Sequence, residues 1–428
     1  MNTSTVFRQV RVLDPFANTD MIADVWLNDG KIQAIDPHLN VISPETTIIE
    51  AQGLILGTGL VDLYSYSGEP GFEDRETLTS LAAAAIAGGF TRVAILPQTK
   101  PGVDNAATFS FLQQKAQTLP NSPHLHFWGN LTLGGQGKQM TELAELAMAG
   151  VVGFTDGQSI ENLGLLRRIL EYLKPLEKPV ALVPESSSLK GNGVMREGLL
   201  SIHYGLPGNP AIAESSAIAT ILEIVAEINT PVHLMGISTR RGVELMASAK
   251  ARGLPITAST SWMHLLLDTH DISNYDPSLR LEPPLGNPED RQALIEGVRE
   301  GIIDAIAVNH RSLTYEEKTV AFAEAPTGAI GLELALPLLW DQLVVQGEWS
   351  PLQLWKALSC YPCQCLGLEV AGLQVGQPAE LILFDPQKTW QVDGTTLQCL
   401  GRNTPWYQQE IKGRVITSFV GKENNTLT

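Results

Sequence analysis

Leu60-Val61-Asp62-Leu63-Tyr64-Ser65-Tyr66 is an apolar run, Thr77–Ala87 follows it with helical periodicity, and Thr91-Arg92-Val93-Ala94-Ile95-Leu96-Pro97 is a second apolar run. A strand buried on both faces reads as a near-continuous apolar stretch, and a helix packed on it carries apolar residues three to four apart. The unit recurs along the chain, with further runs at His124–Thr132, Val151–Asp156, Val180–Glu185, Val232–Ser238, Ile256–Thr260 and Ile303–Asn309. Helical periodicity fills most gaps, as in Ala213–Glu227 and Arg291–Glu300. Eight such units predict an α/β fold, a parallel TIM (β/α)8 barrel wrapped by its helices. Ser186–Gly208, rich in Ser, Gly and Pro, reads as a long loop after the fifth strand. In a barrel, the loops that follow strands build the active face.

Outside this region the rhythm changes. Phe7–Val12 reads as a strand, and Asp24–Leu27 and Ile32–Ile35 flank Asp29-Gly30, a hairpin signal. Ala379–Phe384 and Lys412–Ile416 suggest two more strands near the other end. Chain ends are often spatial neighbours. The expected organisation is a composite β domain from 1–56 plus 370–428 and a barrel domain over 57–369.

The balance of 44% hydrophobic and 18% charged residues supports a large core. The 46 acidic against 29 basic side chains leave a formal charge of −17, which disfavours nucleic acid and anionic membranes as partners. No apolar run reaches the ~18 residues of a membrane span. Met1–Thr5 lacks the basic-then-apolar pattern of a secretory leader, so a cytoplasmic location is expected. Four cysteines in this length do not form a disulfide framework. Cys360, Cys363 and Cys365 have a spacing that invites a metal, but they lie in a helical pattern without the second close pair of a zinc ribbon, so packing is expected.

Several blocks are similar to the dihydroorotase family. They are Gly59-Leu60-Val61-Asp62, Glu69–Asp74 with Glu76-Thr77, Ala87–Thr91, Ser238-Thr239, Asp304–Ala307, Glu316–Lys318, Ala325-Pro326 with Gly328, Gly331–Glu333, and Arg402–Pro405. They follow one another in order over nearly the whole chain. The resemblance implies an amidohydrolase-type barrel with a composite β domain, and an enzyme that interconverts carbamoyl aspartate and dihydroorotate. That chemistry needs a metal to lower the pKa of bound water and polarise a poorly electrophilic amide carbonyl, with a carboxylate to move the proton.

The resemblance also says where the site should be, and most of it is changed. The family's His-x-His after the first strand is Tyr64-Ser65-Tyr66, and phenols must ionise from about 10 to bind zinc. Asp156, after the fourth strand, is retained. The later histidine positions fall on Pro184 and Gly236, and the catalytic aspartate position on Asn309, followed by His310. An amide cannot act as the base. The substrate contacts differ too. The carboxylate-clamping arginine is Gly68, two asparagine positions are Gln98 and Glu282, and a further histidine is Leu313. Losing a bidentate arginine and adding Glu282 both disfavour a dianionic substrate.

Rescue by other residues is not expected. His124-Leu125-His126 is a real His-x-His, but it stands at the start of the third strand, opposite the active mouth. His233 and His264 read as core or rim histidines, and His310 as a hydrogen-bonding group. Among carboxylates, Asp62, Asp156, Glu185 and Glu282 could hold a hard cation weakly, although strand alternation after Pro184 turns Glu185 away from the mouth. The expected protein is therefore a dihydroorotase-like relative without the family's zinc and without turnover. Some bacterial relatives of this degenerate kind assemble with aspartate carbamoyltransferase, so the resemblance suggests that partner and a homodimer. Two other readings stay open: an enzyme with an altered site built on Tyr64, Tyr66, Asp156, Asn309 and His310, and a sensor for a pyrimidine-like ligand.

Overall fold

The computed structural model describes residues 4–40, 46–369 and 372–421. Met1–Thr3, the start of the stretch read for a leader, and residue 370, the expected domain boundary, lie outside these.

A seven-stranded sheet gathers both ends of the chain. Its strands run in the order Glu410–Val420, Glu380–Gln391, Ile55–Thr58, Thr5–Asp14, Thr19–Asn28 and Lys31–Asp36, with Thr47–Glu50 also pairing with Thr5–Asp14. The hairpin forms where Asp29-Gly30 predicted it. Asn28 pairs with Lys31, and the two turn residues have φ of 51° and 71°, the left-handed values that a tight two-residue hairpin requires. Phe7, Val10, Val12, Val25, Ile32, Leu56, Leu381 and Leu383 form this sheet's own core.

The eight predicted runs form the staves of the barrel. Leu60–Ser65, Phe90–Ile95 and His124–Phe127 pair in parallel, as do Ala181–Leu182, Val232–Leu234, Ile256–Ser261 and Ala305–Ala307. The fourth stave is reduced to Phe154, which bridges Gly129 on one side and Val180 on the other. The ring closes where the Tyr66 N–H donates to the His310 carbonyl at 2.8 Å. Val61, Leu63, Tyr64, Ala94, Leu96, Trp128, Ala181, Met235, Ala305 and Ala307 pack together in the interior, Leu63 and Tyr64 both doing so where the register slips between Asp62 and Ser65. Cys363 and Leu366 pack on the same cluster, and all four cysteines are free thiols. Burial pushes the thiols of Cys363 and Cys365 up to about 12, so they behave as small apolar groups.

Sheet and barrel meet closely. Gly57 lies against the ring of Trp355, where a Cβ would come within 2.4 Å of ring atoms, and the Trp355 indole donates to the Thr58 carbonyl at 3.0 Å. Arg92 makes two bonds to Glu380 at 2.7 and 2.8 Å.

One expectation needs correcting. Ser186–Gly208 is not an unstructured loop: it contains helical turns at Ser187–Lys190 and Leu199–His203, and Met195–Arg196 pairs in parallel with Gly208–Asn209. Its elements are too short for hydrophobic periodicity to register. Among the described residues no helix is long and apolar enough to cross a membrane.

Candidate functional site at the barrel mouth

Of the cavities at the ends of the barrel strands, two hold most of the positions singled out by the resemblance. The first is lined by Tyr64, Tyr66, Pro184, Glu185, Arg196, Asn209, Gly236, Glu282 and Asn309, among others, and offers about 70 Å³ for the centres of water molecules. The second offers about 390 Å³ and is lined in part by Tyr66, Gly68, Gln98, Glu282 and Arg311. A single water needs about 10–15 Å³ on this measure, so the first has room for several waters or one small ring.

Five of the six expected catalytic positions converge on the first cavity: Tyr64, Tyr66, Pro184, Gly236 and Asn309. They are tied to the protein itself. The Tyr64 hydroxyl accepts from the Gly236 N–H at 3.1 Å and pairs with the Ser259 hydroxyl at 3.0 Å. Burial pushes both phenols up, away from ionisation. Gly236 has φ 64°, and a Cβ there would meet Pro283 at 3.2 Å. Asn309 has φ 53°, a conformation that asparagine tolerates better than most side chains. Asp156 belongs elsewhere. Its carboxylate accepts from the Thr132 N–H at 3.0 Å, the Thr132 hydroxyl at 2.6 Å and the Asn130 amide at 3.4 Å, and it is not among the lining residues. Burial pushes its pKa up.

The substrate positions divide in the same way. Gly68 and Gln98 line the larger cavity, and Glu282 lines both. At Gly68 a Cβ would come within 2.2 Å of the Phe72 carbonyl and 2.4 Å of the Glu76 carbonyl, so the backbone now excludes any side chain there. His310 and Leu313 line neither cavity and are buried, contrary to their expected place in the pocket. Glu185 is corrected in the opposite direction. The strand ends at Leu182 and the Glu185 N–H turns back to the Val183 carbonyl, so alternation does not extend that far and Glu185 lines the mouth. It shares Lys190 with Glu282, at 3.0 and 2.7 Å. Burial and the neighbouring Glu185 push the Glu282 carboxyl up.

Asp62 is a seam residue. It accepts from the Val308 N–H at 2.7 Å and the Ser65 hydroxyl at 2.5 Å, joining the first stave to the last. His233, His264 and His124 make internal bonds. His233 bonds to Thr257 and Ser259, both at 2.9 Å, and burial holds it down at about 3. His264 bonds to the Pro284 carbonyl at 3.2 Å. His124 and His126 begin the third stave, where the His124 ring bonds to the Val420 carbonyl at 2.9 Å.

Glu76, His310 and Cys399 bring potential ligand atoms within 4.8 Å of one another. The hydrogen bonds argue against a metal there. His310 Nδ1 accepts the N–H groups of Gly331 at 3.1 Å and Leu332 at 3.4 Å. Nε2 therefore carries the proton of the neutral ring and donates toward Glu76 or Ser312. At the mouth, two buried phenols, a proline and a glycine stand where the resemblance places zinc ligands, a donor set that does not fit zinc.

Lys190, Arg196, Asn209, Glu214 and Arg311 were missed at the sequence level. Lys190, Arg196 and Asn209 sit in or just beyond the segment read as a loop, and Glu214 in the first turn of helix Ala211–Ile228.

The barrel, its composite sheet and a mouth at the strand ends define a cyclic amidohydrolase-type architecture. Residues 53–241 match the family described as "Dihydro-orotase-like". A "Probable dihydroorotase-like protein" of Synechocystis sp. is 48% identical over 95% of this chain and 98% of that protein. A dihydroorotase of Pelotomaculum thermopropionicum is 37% identical over 96% and 95%. The chain belongs to the dihydroorotase-like family. Among solved structures, the L-hydantoinase (dihydropyrimidinase) of Arthrobacter aurescens matches with a TM-score of 0.84 at 21% identity, covering 99% of this chain and 96% of that one. The dihydropyrimidinase of Brevibacillus agri matches with 0.81 at 20%, covering 98% and 94%. At that identity the likeness concerns the fold.

Proposed function

We propose that this chain is a dihydroorotase-like protein of pyrimidine metabolism that has lost the family's zinc site and its turnover, and that it serves as a structural or regulatory partner of aspartate carbamoyltransferase. One observation supports the loss most directly. The Tyr64 hydroxyl, at the first expected ligand position, bonds to the backbone of Gly236, another expected ligand position. The groups that should face a metal-bound water face each other. Asp156, the retained acidic residue, bonds to Thr132 and Asn130, and the proton-transfer position is an amide. The partner and a homodimer follow from the resemblance.

The test is an assay of dihydroorotate hydrolysis and its reverse with zinc added, beside a histidine-complete family enzyme. No turnover is expected. Turnover that disappears in Asp156→Ala would overturn the loss of activity. Co-purification with the carbamoyltransferase at low salt is expected, and its absence would overturn the partnership.

A further inference from the structure

Another cavity lies outside the barrel ring, between the helices Leu163–Leu173 and Ala211–Ile228, and offers about 160 Å³ for the centres of water molecules. That is room for on the order of ten waters, or for one short carbon chain. Small residues on the second helix, Ser216, Ala217 and Thr220, keep the gap open. The floor is apolar. Leu182 of the fifth stave packs outward while its neighbour Ala181 packs inward, and Leu182, Leu166 and Ile221 are buried beneath the cavity. Leu163 stands at the edge and is 47% exposed.

The polar groups above this floor are acceptors. The Ser216 hydroxyl donates to the Ile212 carbonyl at 2.6 Å and the Thr220 hydroxyl to the Ser216 carbonyl at 2.9 Å, each one turn back along its own helix. Their hydrogens are used, and their oxygens keep lone pairs. Glu161 accepts the Ser187 N–H at 2.9 Å and the Ser159 hydroxyl at 3.4 Å, both through Oε1, which leaves Oε2 for another donor. Glu185 shares the single ammonium of Lys190 with Glu282. Among the described residues that line the cavity there are these two carboxylates, Glu161 and Glu185, and no lysine, arginine or histidine. The Leu165 N–H at the start of the first helix is already taken by the Asn162 side chain at 3.0 Å.

An anion would meet two carboxylates here, and a purely apolar chain would desolvate the acceptors without giving them a donor. An apolar stem that ends in a cation meets both demands, as long basic side chains do when they bury their methylenes and keep the charged head among polar groups. We propose that this cavity is a binding site for a short alkylammonium group, with Glu161 as its charge partner and Leu166, Leu182 and Ile221 as the bed for its chain. The site goes beyond the reading above, because it lies outside the mouth and binding there requires neither turnover nor its loss.

The experiment is a ligand-observed NMR titration of the full chain with n-hexylammonium, hexanoate and methylammonium, which separate the chain from the charge. It is run at about 0.15 M salt, so that the formal charge of −17 is screened beyond about 8 Å. Hexylammonium is expected to bind at least tenfold more tightly than either comparator. Equal binding of hexanoate or of methylammonium, or no binding of hexylammonium, would overturn the proposal, and none of these results depends on a variant folding. Glu161 is exposed, so Glu161→Gln should leave the fold intact and weaken hexylammonium at least fivefold. Undiminished affinity in that variant would place the ligand elsewhere and overturn the assignment. N-acetyl-lysine methylamide separates the two sources of this chemistry. Affinity equal to that of hexylammonium would mark a lysine side chain of a protein as the ligand, and much weaker affinity a free amine, with the ligand class supported in both cases.

Discussion

The closing seam of the barrel and the cavity above it are both built from buried polar groups, but they are finished differently. At the seam, Asp62 joins Val308 to Ser65, and Glu76 accepts from Ser80, Ser312, His310 and the Leu400 N–H. In the cavity, Arg196, Asn209 and Glu282 each keep an unpartnered atom. A saturated network contributes to stability because removing a member strands the others. An unsaturated one contributes little to the fold and retains bonding capacity for something else. The seam therefore holds the barrel closed, while the polar groups around the cavity are only partly satisfied.

The largest expected effect breaks the seam. Glu76→Ala would leave the His310 ring, the Ser312 hydroxyl and the Leu400 N–H without their carboxylate in a site where Glu76 is 1% exposed. Removing one member of such a buried cluster costs about 3–5 kcal/mol. Urea unfolding of the variant should show a loss of that order. A loss below about 1 kcal/mol would mean that the network is not what secures the C-terminal segment to the barrel.

A second prediction sharpens the picture of the seam through pH. Burial holds the Asp62 carboxyl up at about 6, above its ordinary 3.8. The folded state thus binds this proton more tightly than the unfolded state does. The group favours folding at low pH, and that contribution, about 3 kcal/mol, is lost as pH rises through about 4 to 6. Asp62→Asn keeps an acceptor for the Val308 N–H and removes the ionisation. Denaturation midpoints measured at pH 4 and pH 7 should move in the variant's favour at the higher pH. Parallel profiles for the two proteins would show that Asp62 stays ionised throughout.

The same contrast explains how much was legible in the sequence. The staves were readable because strands buried on both faces leave apolar runs, and the Asp29-Gly30 turn was readable because its backbone demands those residue types. Tyr64, Pro184, Gly236 and Asn309 stood out because the blocks around them keep the family's pattern. The cavity's new lining left no comparable mark. Lys190, Arg196 and Asn209 acquire meaning only through Glu282, Ser238 and each other, contacts set by short elements with no periodicity of their own. Glu185 was misplaced because alternation was extended past Leu182, where the strand stops. His310 was assigned to the pocket by its position in the motif, whereas its ring turns toward Glu76 and the Gly331 backbone.

The smallest expected effect lies on the cavity side. Asn209 is as buried as Glu76, so burial alone would predict a comparable loss on truncation. Its side chain, however, makes a single long bond, from Nδ2 to Glu185 at 3.4 Å, while Oδ1 has no partner. Asn209→Ala removes an unpaired acceptor along with a weak donor contact, and the two contributions oppose each other. The stability change should stay within about 1 kcal/mol, measured by urea unfolding without added ligand. A loss comparable to that of Glu76→Ala would mean that Asn209 belongs to the fold as the seam does, and the distinction between a saturated seam and an open cavity would no longer hold.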